Sequence, residues 1–242
     1  MVVNCSNCPL RRRALFVDMT DEEIEFMERF KVGEMVVEPG TAILMEGSNS
    51  PQLYTALSGM GVRYKSLEDG RRQVINMVLP GDFLGLQAGV MGEMGHSVEA
   101  TTAMTLCVFD RARLWEFFST QPERAYDLTW LGAVEEHFLG EALASIGQHS
   151  ALEALAWSFM QFYERGRALR LLRNEGMPLP YRQQDIADTL GLSLVHTNKT
   201  IAKLRKMKLA TWSDGILTVH DPEGLAALAG VEGQQLKPRP LM

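Results

Sequence analysis

The hydrophobic pattern changes period twice along the chain. Between residues 33 and 110, short runs rich in Val, Ile, Leu and Met (MVVE, TAILME, QLYTALS, VRYKSL, QVINMVL, VEATTAMTLCVFD) are broken by Pro39-Gly40, the turn formers at 47–51, the glycines at 59–61, Glu68-Asp69-Gly70 and Pro80-Gly81-Asp82. Strands of that length with turn chemistry between them predict a small antiparallel barrel or roll. Only two or three of the runs alternate cleanly, so the pattern does not set the register. Ahead of them, residues 20–30 predict a short helix, with Thr20 as cap and Glu23 completing a capping box. From about residue 111 a helical period takes over, interrupted at Pro122, with its main segment at 123–147. On it Leu131, Val134, Phe138 and Ala142 recur at three- and four-residue steps, a narrow stripe suited to a partner helix or to packing on the chain's own β domain. Another helix is predicted at 151–165, and TWSDG followed by ILTVHD reads as a β-hairpin turning at Asp214-Gly215.

Residues 181–210, YRQQDIADTLGLSLVHTNKTIAKLRKMKLA, carry the clearest chemistry. Ile186, Ala187 and Leu190 repeat at helical spacing, Gly191 is free to take φ > 0, Leu192 follows as an apolar plug, and Ser193 caps a second helix. This is a helix-turn-helix. Val195, Thr197, Ile201 and Leu204 lie inward or flank the seam, while His196, Asn198, Lys199 and Lys203 project outward. Those residue types suit a major groove: Asn pairs bidentately with adenine, Lys reaches guanine or phosphate, and His donates or accepts at a base edge. A helical hairpin with merely solvated cations is the alternative. Charge distribution weighs against it, because residues 165–208 hold ten Lys or Arg against three acids in a chain of formal net charge −6. Such asymmetry marks an electrostatic footprint for a polyanion. The expected DNA contacts are Arg182, Gln183, Ser193, Val195, His196, Thr197, Asn198, Lys199 and Lys203. Among them Arg182, Gln183 and Lys203 suit the phosphate backbone, and Thr197 suits either role.

At 242 residues and 46% apolar content, the chain has room for one large or two modest cores. No stretch approaches the ~18 to 20 uninterrupted apolar residues of a membrane span, and the N-terminus lacks a secretory apolar region, so a cytoplasmic protein is expected. Three cysteines, an odd number, argue against an extracellular disulfide framework. Catalysis is not expected: the five His are scattered, and there is no GxSxG, no HExxH and no Gly-rich phosphate loop. Neighbouring acids such as Glu22-Glu23 and Glu135-Glu136 diverge by ~100° on a helix and read as solvated surface.

The order of parts, with PGDFLGL at 80–86 and QDIADTLGLSLVHTNKTIAKLRK at 184–206, resembles the Crp/Fnr family of bacterial transcription regulators over about residues 14–230. The resemblance implies an α+β fold with an antiparallel β-roll of the cyclic-nucleotide-binding type at 20–122. An N-terminal segment bearing CxxC (1–19) precedes it. Composition, with Pro238 and Pro240, predicts a disordered tail at 231–242, and ahead of it the resemblance implies a dimerisation helix (123–150) and a C-terminal winged helix-turn-helix (151–230). It further implies a homodimer on palindromic double-stranded DNA, its half-sites about one turn (~34 Å) apart. A signal would be sensed by the roll, and an activator would also contact RNA polymerase.

Departures from the family pattern bear on the signal. Members that bind cyclic AMP carry a Glu soon after the GDF segment and then an Arg for the cyclic phosphate; those places hold Leu86 and His96, the latter followed by Ser97. A buried phosphate without its bidentate Arg is costly, so no cyclic-nucleotide binding is expected. Cys5 and Cys8, with the distant Cys107, resemble the oxygen-sensing branch, which holds an iron–sulfur cluster on four cysteines. Here a fourth ligand would have to come from elsewhere, His96 or an acid. A zinc site, a redox pair formed by Cys5 and Cys8, and inert thiols are the alternatives. In the recognition helix, the family's base-reading Glu and Arg places fall on Val195 and Lys199. His196 and Asn198 therefore lead for sequence readout, as in a subgroup with a similar V-H-x-N-[RK] run.

Overall fold

Thr20 and Glu23 close the first helix as their spacing predicts. The Glu23 N–H donates to the Thr20 hydroxyl at 3.2 Å, and the Thr20 N–H donates to the Glu23 carboxylate at 2.7 Å, so α1 spans Asp21–Phe30. The computed structural model describes residues 2–232 and 236–242. After α1 come β1 (Lys31–Val37), β2 (Ala42–Leu44), β3 (Gln52–Ser58), β4 (Gly61–Ser66), β5 (Arg72–Val78), β6 (Phe83–Leu84), α2 (Leu86–Met91), β7 (Ser97–Ala100), β8 (Met104–Asp110), α3 (Leu114–Thr120) and α4 (Pro122–Gln148). Then follow α5 (Ala151–Ala168), β9 (Gly176–Pro178), α6 (Gln183–Leu190), α7 (Leu194–Lys206), β10 (Ala210–Ser213), β11 (Ile216–Val219) and α8 (Pro222–Ala229).

Two four-stranded antiparallel sheets, β1-β8-β3-β6 and β2-β7-β4-β5, make the roll. Tyr54, Ala56, Leu106 and Val108 from the first meet Leu44, Val78, Val98 and Ala100 from the second in one buried core. The run VEATTAMTLCVFD, which reads as one strand, is split by residues 101–103 into β7 and β8. β8 is buried on both faces. Leu106 and Val108 point into the roll, while Cys107 and Phe109 occupy the opposite face by the period of two. There Phe109 stacks on Phe30 (5.3 Å between centroids), and Phe30 and Phe26 contact Phe117 of α3. Phe26, Phe30 and Phe117 bind α1 and α3 to the sheet.

The chain divides into two compact units, Met1–Glu136 with Pro238–Met242, and His137–Lys237. α4 begins with Pro122 at its first position, where a missing N–H costs nothing, and runs from the first unit into the second. In the second unit, Ser150 and Glu153 form a capping box for α5, and β10-β11-β9 make a small sheet beside α6 and α7. The hairpin turns at Asp214 (φ 52°) and Gly215 (φ 72°), the left-handed pair that a two-residue loop requires.

Two expectations need correction. The stripe Leu131, Val134, Phe138 and Ala142 does not face outward as a set. Leu131 and Ala142 are buried within the chain, Val134 is half-buried, and Phe138 stacks on Trp157 at 5.7 Å. Exposed on α4 instead are Leu139, Leu143 and Ile146, with Tyr126 nearer its start. The disordered tail expected at 231–242 lies partly outside the described residues. Its last five residues are ordered against the roll, where Leu241 and Met242 are buried and Arg239 forms a parallel bridge with Phe16.

Candidate nucleic-acid interface and cysteine cavity

Gly191 (φ 65°) ends α6, and the Leu192 N–H returns to the Ala187 carbonyl at 3.0 Å. Ser193 is extended and caps α7, its hydroxyl accepting from the His196 N–H at 3.2 Å. Ile186, Ala187 and Leu190 of α6 are buried together with Thr197, Thr200 and Leu204 of α7. With one edge of α7 fixed inward at 197, 200 and 204, the opposite edge exposes Val195, His196, Asn198, Lys199 and Lys203. Arg205 and Lys206, not singled out from the sequence, extend the exposed cationic edge through the last turn. None of the charged side chains on this edge has a carboxylate partner within α7, which contains no acid.

Thr197 is a correction. It is fully buried and its hydroxyl donates to the Ser193 carbonyl at 3.1 Å, so it fixes the start of α7 rather than reaching DNA. Gln183 is exposed at the start of α6. Arg182 is exposed as well, but its guanidinium is held by the buried Asp185 at 2.9 and 3.2 Å, and the Arg182 N–H donates to the same carboxylate at 2.9 Å. Asp185 thus orients a cation at the mouth of the interface, a role signalled in the sequence only by an acid three residues beyond the cap. The hairpin is secured to the same unit by Trp212, whose indole donates to the Leu179 carbonyl and lies edge-on to Phe159.

In the roll, Cys5, Cys8 and Cys107 line one small cavity with Lys31, Met27, Thr55, Leu241 and Met242. About 30 Å³ is open to the centres of water-sized molecules, room for a water or two and far below a nucleotide. All three sulfurs are free thiols. Burial pushes Cys107 up to about 11 and raises Cys5 above its ordinary value, so both are neutral thiols near pH 7. Burial opposes the charge of Lys31 most, yet its hydrogen bond to Glu34 at 2.7 Å and the charge interactions around it together raise it and keep it an ammonium. A four-ligand iron–sulfur centre does not fit these residues: the cavity lining includes no His, Asp or Glu, and His96 sits elsewhere, among Arg63, Glu46 and Lys65. Among the described residues no three His, Cys, Asp or Glu are grouped so as to hold a metal ion.

The places expected for a cyclic phosphate are also occupied differently. His96 is buried, and desolvation, with Arg63 beside it, pulls the ring down to about 4, so it carries no charge near pH 7. The Ser97 hydroxyl accepts from the Glu46 N–H at 3.0 Å. Arg63, itself buried, donates to Glu135 of α4 at 2.9 Å and to the Phe83 carbonyl at 3.2 Å, and Asn76 donates to the same Glu135 oxygen at 3.1 Å. Glu135 is therefore no solvated surface acid. It ties strands β4 and β5 to the long helix.

Against known proteins, the model of the cyclic nucleotide-binding domain matches residues 34–121 and that of the Crp-like helix-turn-helix domain matches residues 155–228. The chain is 31% identical over 226 residues to the nitrogen fixation regulation protein FixK of Bradyrhizobium diazoefficiens, covering 93% of each. It is 26% identical over 219 residues to the transcriptional activator protein FnrL of Cereibacter sphaeroides, covering 89% of this chain and 84% of that one. The solved structure of FixK2 from Bradyrhizobium japonicum shares its fold with a TM-score of 0.72 at 24% identity, covering 81% of this chain and 96% of that one.

Proposed function

As the chain belongs to the Crp/Fnr family of transcription regulators, we propose that it binds a palindromic promoter site as a homodimer and takes its signal from chemistry at the cysteine cavity. The general role, DNA-binding regulation rather than catalysis, is that of its relatives. What carries the finer reading is the exposed edge of α7, where His196, Asn198 and Lys199 stand free for base edges and Lys203 for a phosphate. Leu139, Leu143 and Ile146, exposed at i, i+4 and i+7 on α4, supply an apolar stripe for a second copy. Two copies place two recognition helices on half-sites about one DNA turn (~34 Å) apart.

Two features disfavour a cyclic nucleotide as the signal. A neutral His96 offers the phosphate no cation, and Arg63 is already committed to Glu135. Three thiols lining one cavity support oxidation or another thiol modification as the signal, with burial of Cys5 and Cys107, which raises both, keeping them slow to react while the cavity is closed. A gel-shift titration on palindromic and scrambled fragments, run on reduced and on oxidised protein at moderate ionic strength, tests the reading. The expected result is a preference for one duplex that changes with thiol state, alongside no heat of binding for cyclic AMP or cyclic GMP. Equal binding to every duplex in both states refutes the DNA reading, and micromolar cyclic-nucleotide binding refutes the signal.

A further inference from the structure

Directly opposed residues on antiparallel strands share a face, so Glu34 of β1, Cys107 of β8 and Thr55 of β3 form one row across the outer side of the roll. The two ends of the chain are pinned to that row on either side of Cys107. At the β1 end, the Val3 N–H donates to Glu34 at 2.8 Å and Lys31 Nζ donates to the Val3 carbonyl at 2.6 Å. At the β3 end, the Thr55 hydroxyl donates to the Met242 backbone oxygen at 2.6 Å, while the buried Arg124 donates to the Leu241 carbonyl and contacts the Met242 sulfur at 3.6 Å.

The C-terminal segment is held by three kinds of anchor. Its main chain pairs with the first unit, the Arg239 N–H donating to Leu15 at 2.8 Å and the Val17 N–H to Arg239 at 2.9 Å. Its one cation, Arg239, meets the buried Asp82 at 3.1 Å. Its apolar end, Leu241 and Met242, is 3% and 5% exposed and forms part of the wall of the cysteine cavity. Main-chain pairing for affinity with side-chain pockets for specificity is how folded domains recognise extended peptides.

We propose that the outer face of the roll is a binding site for the chain's own C-terminal segment, Pro238–Met242, and that seating of this segment shields Cys107 from thiol reagents. This deepens the reading of the cavity as the place where the signal enters. The segment belongs to the first unit, although in sequence it comes after the second. Linkage is then reciprocal: a group added to the Cys107 sulfur competes with the Met242 side chain for one cavity, and a seated tail slows that addition.

The test uses the full-length protein and N-ethylmaleimide, whose ring double bond is attacked by the thiolate to form a carbon–sulfur bond while the displaced proton ends on the ring. Modification of Cys107 is followed by peptide mass spectrometry in the wild type, in Met242→Asp and in a chain ending at residue 237. Both variants should react about tenfold faster or more, as expected when a locally closed site is opened. Adding the free hexapeptide KPRPLM to the shortened chain should restore the slow rate, and Thr55→Val should raise the peptide concentration needed several-fold. Unchanged rates in both variants overturn the proposal. So does fast modification that the peptide fails to slow, because that is general loosening rather than a vacated site. None of these readings involves DNA, so a protein that shows peptide-dependent protection but no duplex preference would refute the regulatory reading and leave this site standing.

Discussion

Protonating His96 should cost the roll a measurable part of its stability. The ring is 9% exposed. Burial opposes the imidazolium most, Arg63 and Lys65 add to this, and Glu46 favours it, with the result that the ring titrates at about 4 rather than 6.5. With the native value depressed, the unfolded chain takes up the proton first. Stability from this group is full above pH 6.5, falls as the pH drops toward 4, and levels off below that. The separation corresponds to a ceiling of about 3 kcal/mol, of which about 2 kcal/mol is lost between pH 7 and pH 5. His96→Gln keeps a polar side chain of similar size that cannot titrate. Urea unfolding of both proteins across that range isolates the effect, since other carboxylates cancel in the difference. Glu46, held low by the Ser66 N–H and by Lys65, stays ionised throughout. The advantage of wild type over the variant should shrink by about 2 kcal/mol from pH 7 to pH 5. A difference constant within about 0.5 kcal/mol would refute the reasoning. So would a ring nitrogen that titrates near 6.5 by NMR.

Asn198→Ala should cost about 1 to 3 kcal/mol on the preferred duplex and almost nothing on random DNA, whereas Lys203→Ala should weaken both and flatten the salt dependence by about one unit; fluorescence anisotropy across a salt series separates them. Glu135→Gln leaves the buried Arg63 guanidinium without its carboxylate and should destabilise the first unit by about 1 to 3 kcal/mol in urea unfolding. Leu143 is 71% exposed, so Leu143→Glu should leave the unfolding midpoint of dilute protein unchanged while shifting sedimentation equilibrium from dimer toward monomer.

Local signals were read correctly wherever a short stretch of chain decides the geometry. Thr20 with Glu23, Gly191 with Ser193, and Asp214 with Gly215 each act within four residues, and each sits where the pattern places it. Helical spacing puts Thr197 inward, where it lies with Thr200 and Leu204, and only its hydroxyl, a group that suits either base or phosphate, set it among the expected DNA contacts. The long-range partners left no local trace. Glu135 meets Arg63 across 72 residues, Met242 meets Thr55 across 187, and Arg239 meets Asp82 across 157. A proline-bearing tail therefore read as disorder, although its anchors were present elsewhere in the chain. β8 reads as a strand but not in register, for a different reason: with both faces covered, its apolar residues do not alternate with polar ones.

That two-sided burial bears on the proposal that a thiol in β8 is an input. Leu106 and Val108 pack in the roll core while Cys107, between them in sequence, faces the cavity and the chain's ends. A close-packed interior does not absorb displacement of one strand without moving its neighbours. A shift of β8 caused at Cys107 would thus be felt by Phe109, which stacks on Phe30, and by Phe117, which Phe30 contacts in α3 just ahead of α4. A second connection reaches α4 from the other sheet, where Arg63 of β4 holds Glu135 at 2.9 Å. One sheet of the roll thus reaches α3, the helix just ahead of α4, through aromatic rings, and the other holds the first half of α4 itself through an ion pair. Every link in both connections is a side chain of this chain, and the carboxylate that meets the buried Arg63 is its own Glu135.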